Sequence, residues 1–106
     1  MAGFFAKLFG GGGSSEPEPV ERSEPESYEG LLIHAAPERE GEQWRLGGVI
    51  VKPAAGAAVE MERVFVRADT FTSRDEAVTW SLKKGRQVID ERGQRLFANG
   101  EPTGRA

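Results

Sequence analysis

Apolar and polar positions along this chain change period twice. Tyr28 to Ala36 (YEGLLIHAA), Trp44 to Lys52 (WRLGGVIVK) and Val59 to Ala68 (VEMERVFVRA) are short runs rich in branched and aromatic residues. Such runs read as strands, and Pro37 and Pro53 stop the first two. Their connections, built on PEREGE and PAAGAA, suit antiparallel hairpins rather than crossovers. Gly47–Gly48 inside the second run predicts a bulge or a close backbone approach. Past Phe71 the period becomes helical. Ser73 followed by Glu76 reads as a capping box, and Gly93 stands where a helix would stop, so the spacing predicts a helix over Arg74 to Arg92.

On that helix Ala77, Val78, Ser81, Leu82, Gly85, Val88 and Ile89 share a sector of about 140°, with Thr79, Lys83, Arg86, Gln87, Asp90 and Glu91 outside it. Ala77, Ser81 and Gly85 form a line of small residues that would let the helix approach a sheet closely. That line accounts for a mid-helix glycine, which costs about 1 kcal/mol. Leu96 and Phe97 are expected to fold back onto the core. The predicted class is α+β: a small three-stranded antiparallel sheet packed on one C-terminal helix, in the order β-β-β-α, behind a disordered N-terminal tail.

A chain of 106 residues sets a limit of one domain. Residues 1–27 read as a flexible tail: an apolar stub, a linker from Gly10 to Ser15, and a Pro/Glu/Ser tract from Glu16 to Ser27. Neither the linker nor the tract has apolar content to offset its ordering entropy. The predicted domain is residues 28–97, and residues 98–106 are expected as a disordered C-terminal tail. The net charge of −3 resides in the N-terminal tail, because residues 28–97 hold eleven basic and eleven acidic side chains. A neutral domain on an acidic leash lacks the overall charge of a nucleic-acid binder, though a local basic patch stays open. Cysteine is absent, which excludes disulfides and thiolate metal sites. The opening MAGFFAKLFG is too short an apolar run for a signal peptide or a membrane span, so a soluble cytoplasmic protein is expected.

Catalytic chemistry is not legible. His34 is the only histidine and sits between apolar neighbours, so it reads as a strand-face residue rather than a metal ligand. Asp69, Asp75 and Glu76 cluster at the start of the helix, where negative charge favours the helix dipole. No phosphate-binding fingerprint or nucleophile elbow is present. Neither enzyme activity, cofactor nor metal is expected. Two binding surfaces are candidates. Arg63, Phe65 and Arg67 alternate on the third strand, and Lys83, Lys84 and Arg86 line the helix; together they would contact nucleic acid by phosphate pairing and base stacking. Trp80 lies outside the buried sector, and Phe4, Phe5, Leu8 and Phe9 give the stub one apolar side; these are candidate protein-partner residues. One helix covers one sheet face, leaving Phe65, Val49, Val51 and Leu32 as candidates for the other, through which a homodimer is expected.

Several segments, FFAKLFGGGG, YEGLLIHAAPE, QWRLGGVIVK, FVRADTFTSRDEA and SLKKGRQVIDERGQRLF, resemble in order and spacing the small HlyU family of bacterial transcriptional activators. The resemblance spans nearly the whole chain except the Pro/Glu tract and the last nine residues. It implies a role in activating transcription in a bacterial cytoplasm and carries over no catalytic or metal residue. No helix-turn-helix can be drawn from the predicted elements. Two readings therefore stand side by side: a regulator that touches DNA, and a protein-interaction or adaptor module with an unknown protein partner and no nucleic-acid contact.

Overall fold

The computed structural model describes residues 21–54 and 59–106. The elements, in chain order, are β1 (Glu26–Tyr28), β2 (Leu31–Ala35), β3 (Glu38–Glu40), β4 (Gln43–Lys52), β5 (Met61–Phe71) and α1 (Arg74–Arg92), followed by a 3₁₀ turn at Gly93–Phe97. All strand pairs are antiparallel, and the class is the expected α+β with one C-terminal helix. The sheet has five strands rather than three.

Turn chemistry accounts for the two additional strands. Glu29 and Gly30 both take positive φ, 51° and 80°. Two such residues in succession make the turn that matches a twisted two-residue hairpin, so Tyr28 pairs with Leu31 and the first predicted run folds into β1 and β2. Gly41, with φ 61°, opens a second tight turn, and Glu40 pairs with Gln43. The stretch expected as the PEREGE loop is therefore largely strand β3. Pro37 separates β2 from β3, and both pair with β4 along the same edge. β5 pairs the opposite edge of β4.

The predicted irregularity falls where Gly47 and Gly48 placed it. The β4–β5 register shifts between Arg45 and Gly47. A methyl group at Gly48 would lie 2.6 Å from the His34 carbonyl oxygen and would run into the Phe65 ring, so only glycine leaves room there.

Helix α1 has the predicted bounds. The Ser73 hydroxyl accepts from the Glu76 amide at 3.0 Å, and the Gly93 amide donates to the Ile89 carbonyl at the other end. Among the described residues Glu76 does not return the second bond of a capping box. Ala77, Ser81, Gly85, Val88 and Ile89 are buried, so the small-residue line faces the sheet. The buried Ser81 hydroxyl accepts from the Gly47 amide at 3.1 Å, tying the helix to the bulge. Leu96 and Phe97 are 4% exposed and join Leu31, Ile33, Leu46, Ile50 and Phe65 in the core.

Both ends of the expected domain extend further than predicted. Ser23 donates its amide to the Ala35 carbonyl at 2.7 Å and accepts from the Ala35 amide through its hydroxyl at 2.8 Å. Residues 102–106, expected within a loose tail, run beside the free edge of β5. Glu62 and Val64 donate their amides to the carbonyls of Pro102 and Gly104, and Ala106 donates to Val64, all at 2.8 Å. These bonds satisfy an edge that would otherwise present unpaired donors and acceptors.

Candidate functional site: an aromatic and cationic surface

Strand pairing and helix phase bring three aromatic side chains to one end of the molecule. Trp44 on β4 is the direct partner of Phe71 on β5. The Phe71 ring stacks on Trp80 of α1, with centroids 6.4 Å apart and ring planes 4° from parallel. Cations lie against these rings. The Arg39 and Arg74 guanidinium carbons lie 5.3 Å and 5.9 Å from the Trp44 ring, and the Lys83 ammonium is 4.5 Å from the Trp80 ring. Trp80 remains 45% exposed, whereas Trp44 and Phe71 are half-buried. Among the described residues, the one carboxylate paired with these cations is Glu21, 3.6 Å from Arg74. The surface is thus aromatic with a positive rim, the composition that concentrates binding energy in protein interfaces.

The residues expected to touch nucleic acid do not come together. Arg63 and Phe65 were expected on an open strand face, yet both are 1% exposed. Register explains this correction: Ile50 pairs with Arg63 and Gly48 with Phe65, which turns both side chains inward, Phe65 into the core and Arg63 beneath the 3₁₀ turn and the C-terminal segment. Arg63 donates to the Leu96 carbonyl at 2.7 Å, to Asn99 Oδ1 at 2.7 Å and to the Glu62 carbonyl at 2.6 Å, and its guanidinium lies 5.0 Å from the Phe97 ring. It is a structural clamp. Arg67 is half-buried and donates to the Val66 carbonyl. On the helix, Arg86 pairs with Glu26, Lys84 donates to Gln87 at 3.3 Å, and Lys83 covers Trp80. Of the six, Lys83 alone belongs to the aromatic surface.

Trp80 is exposed as expected, while the stub residues Phe4, Phe5, Leu8 and Phe9 lie outside the described residues. Trp44, Phe71, Arg39 and Arg74 were not singled out from the sequence. The signal was present in the strand pattern, but the bulge and the β3 turn had to be known before Trp44 could be set beside both Phe71 and Arg39.

Of the other polar candidates, His34 engages the Ser23 carbonyl through Nδ1 at 2.9 Å, and Asp69, Asp75 and Glu76 are exposed. Among the described residues no group of three or more His, Cys, Asp or Glu is placed to hold a metal ion. No helix among them is long and apolar enough to cross a membrane. The second sheet face carries Val49, Val51, Val64 and Val66; Val49 and Val51, expected on an uncovered face, are each 3% exposed, and Val64 alone of the four is open to solvent. Arg22 crosses it to Glu62, with both guanidinium nitrogens 3.1 Å from the carboxylate. That bond holds the Glu62 carboxyl below its ordinary pKa of 4.5.

Residues 3–97 match the family model described as transcriptional activator HlyU. The chain belongs to the HlyU family. No curated protein and no solved structure matches it. In this HlyU-family chain α1 is held by its small-residue face against the sheet, and its outward side carries Trp80 with Lys83 over its ring. Among the described residues no second α-helix packs with α1 to make a two-helix reading head of the kind that enters a major groove.

Proposed function

We propose that this HlyU-family protein is a non-enzymatic regulator of transcription that acts through a protein partner docked on the Trp44–Phe71–Trp80 surface. The carrying observation is that surface itself: a half-buried Phe71 stacked on an exposed Trp80, beside a Trp44 ring with two guanidinium groups against it. Aromatic and arginine side chains grouped this way supply contact area at low entropy cost. The regulatory role comes from the family description, and the cytoplasm is where such a role is exercised. Direct DNA contact is the less favoured reading, because Arg63 is buried and Arg86 is paired with Glu26. Arg39, Arg74 and Lys83 nonetheless form a basic rim, so that reading has an observation of its own.

The test is a reporter assay run beside a DNA titration of the full-length protein across a salt series. The Trp44→Ala/Trp80→Ala double variant should lose activation while retaining its fold by circular dichroism, and DNA affinity should be weak with no sequence preference. A tight specific affinity whose logarithm falls steeply with log salt, and which Arg74→Ala and Lys83→Ala both weaken, would replace the partner reading with direct DNA binding.

A further inference from the structure

The sheet face opposite the helix contains a cleft of about 420 Å³ whose walls include Arg22, Ala36, Val49, Val64 and Val66. Its size is within the range that takes an apolar side chain or small ligand, roughly 300–1,000 Å³. Val64 is 38% exposed at its rim. The Arg22–Glu62 pair bridges the cleft at one side, and the described chain begins one residue earlier, at Glu21.

We propose that this cleft is the docking site for the protein's own N-terminal stub, Phe4, Phe5, Leu8 and Phe9, in cis. The position of the tether is the first argument. Eleven residues, 10–20, separate Phe9 from Glu21. Six Gly/Ser residues followed by a stiffer five-residue Pro/Glu stretch have a root-mean-square span of about 20 Å, so the stub stays within reach of the Arg22 wall. An attachment that short gives an effective concentration in the millimolar range, well above that of a second copy at micromolar protein. Chemistry is the second argument. The stub offers apolar rings and one cation, Lys7, and the cleft pairs Ala36, Val49, Val64, Phe65 and Val66 with two charged walls, Arg22 and Glu38. The Trp44–Phe71–Trp80 surface suits it less, because Arg39, Arg74 and Lys83 already lie against those rings. The family match begins at residue 3 and therefore includes the stub. The inference does not depend on the proposed partner surface, which lies on the other side of the sheet.

The absence of native cysteine permits a direct test in the full-length protein. Cysteine is introduced at Ala6→Cys, which leaves the four apolar side chains intact, and paired with Val64→Cys at the cleft or with Glu91→Cys on the exposed side of α1. Under mild oxidation of dilute protein, the 6/64 pair should close within one chain at least about ten-fold faster than the 6/91 pair. The excess should vanish when Phe5→Ser and Phe9→Ser are added. Val66→Cys replaces Val64→Cys if the latter unfolds. Equal rates for the two pairs, or disulfides formed between chains in place of within them, overturn cis docking; the second result would assign the cleft to a second copy.

Discussion

Gly85 sits where α1 crosses β2, and two effects of opposite sign meet there. Replacing a mid-helix glycine with alanine favours the helix by about 1 kcal/mol. Against this, a methyl group at Gly85 would stand 2.6 Å from Ile33 Cγ2, and Ile33 is fully buried. Overpacking of this kind costs about 1–3 kcal/mol, so Gly85→Ala is expected to destabilise and Gly85→Leu to do so more strongly. Trp80→Ala loses a half-exposed stack on Phe71 and should cost no more than about 1 kcal/mol. Denaturant midpoints check the order, and a Trp80 effect exceeding that of Gly85→Leu would mean the helix is turned from the observed phase.

Glu62 provides a pH dependence of defined sign. Its bond from Arg22 lowers the carboxyl pKa in the folded protein, with His34 contributing in the same direction. A depressed folded-state value means the contribution is present above the unfolded pKa, near 4.5, and is lost as pH falls through the folded value. Glu62→Gln should therefore flatten the acid limb of a stability–pH curve below that point while changing the neutral region little, because Arg22 is largely solvated. An unchanged acid limb would show that the pair is not maintained in solution.

Between elements, Arg63 links β5 to the end of the chain. Its three bonds go to Glu62, Leu96 and Asn99, and Gly104 packs against its side chain with a would-be Cβ 3.3 Å away. Arg63→Met keeps much of the volume but leaves the Leu96 carbonyl and the Asn99 side chain without their donor. The expected loss is about 1–3 kcal/mol, and amides donating to residues 102–106 should lose protection against hydrogen exchange. Retained protection at Glu62 and Val64 would show that the C-terminal segment is held by its own backbone bonds alone. Arg63 also shows where sequence reading fails. Helix α1 was legible because its cap, its stop and its apolar sector are local signals. The burial of Arg63 and Phe65 depends on pairing with Ile50 and Gly48, residues at a distance in the chain, and alternation within one strand does not say which side is covered. The Glu29–Gly30 turn was missed for a related reason: Glu is an uncommon residue at positive φ, so the dipeptide lacks the usual Asn-Gly or Asp-Gly mark. The aromatic surface shares both obstacles, since it needs the β3 turn and the β4–β5 register shift in place before its members meet.

At the scale of the whole molecule, the folded unit is wider than residues 28–97. Ser23 extends the outer edge at β2, and residues 102–106 cover the edge of β5. Cutting the chain back to 28–97 removes both and leaves β5 with unpaired backbone groups, a template for association. That fragment should unfold at lower denaturant than the intact protein and scatter light on concentration; an equal midpoint would show that the flanking segments add nothing to stability. The same logic governs self-association of the full chain. A two-fold dimer through the second sheet face and a stub docked there in cis compete for the same valines. With the stub in place, the full-length protein should sediment as a monomer at micromolar concentration. Phe5→Ser with Phe9→Ser removes the apolar occupant while leaving the cleft, Val64 and the Arg22–Glu62 pair unchanged, so the cleft around the exposed Val64 should then drive concentration-dependent dimers. If the unaltered protein is a dimer whose strength the two serine substitutions leave untouched, the face is a subunit interface and the stub has its partner elsewhere.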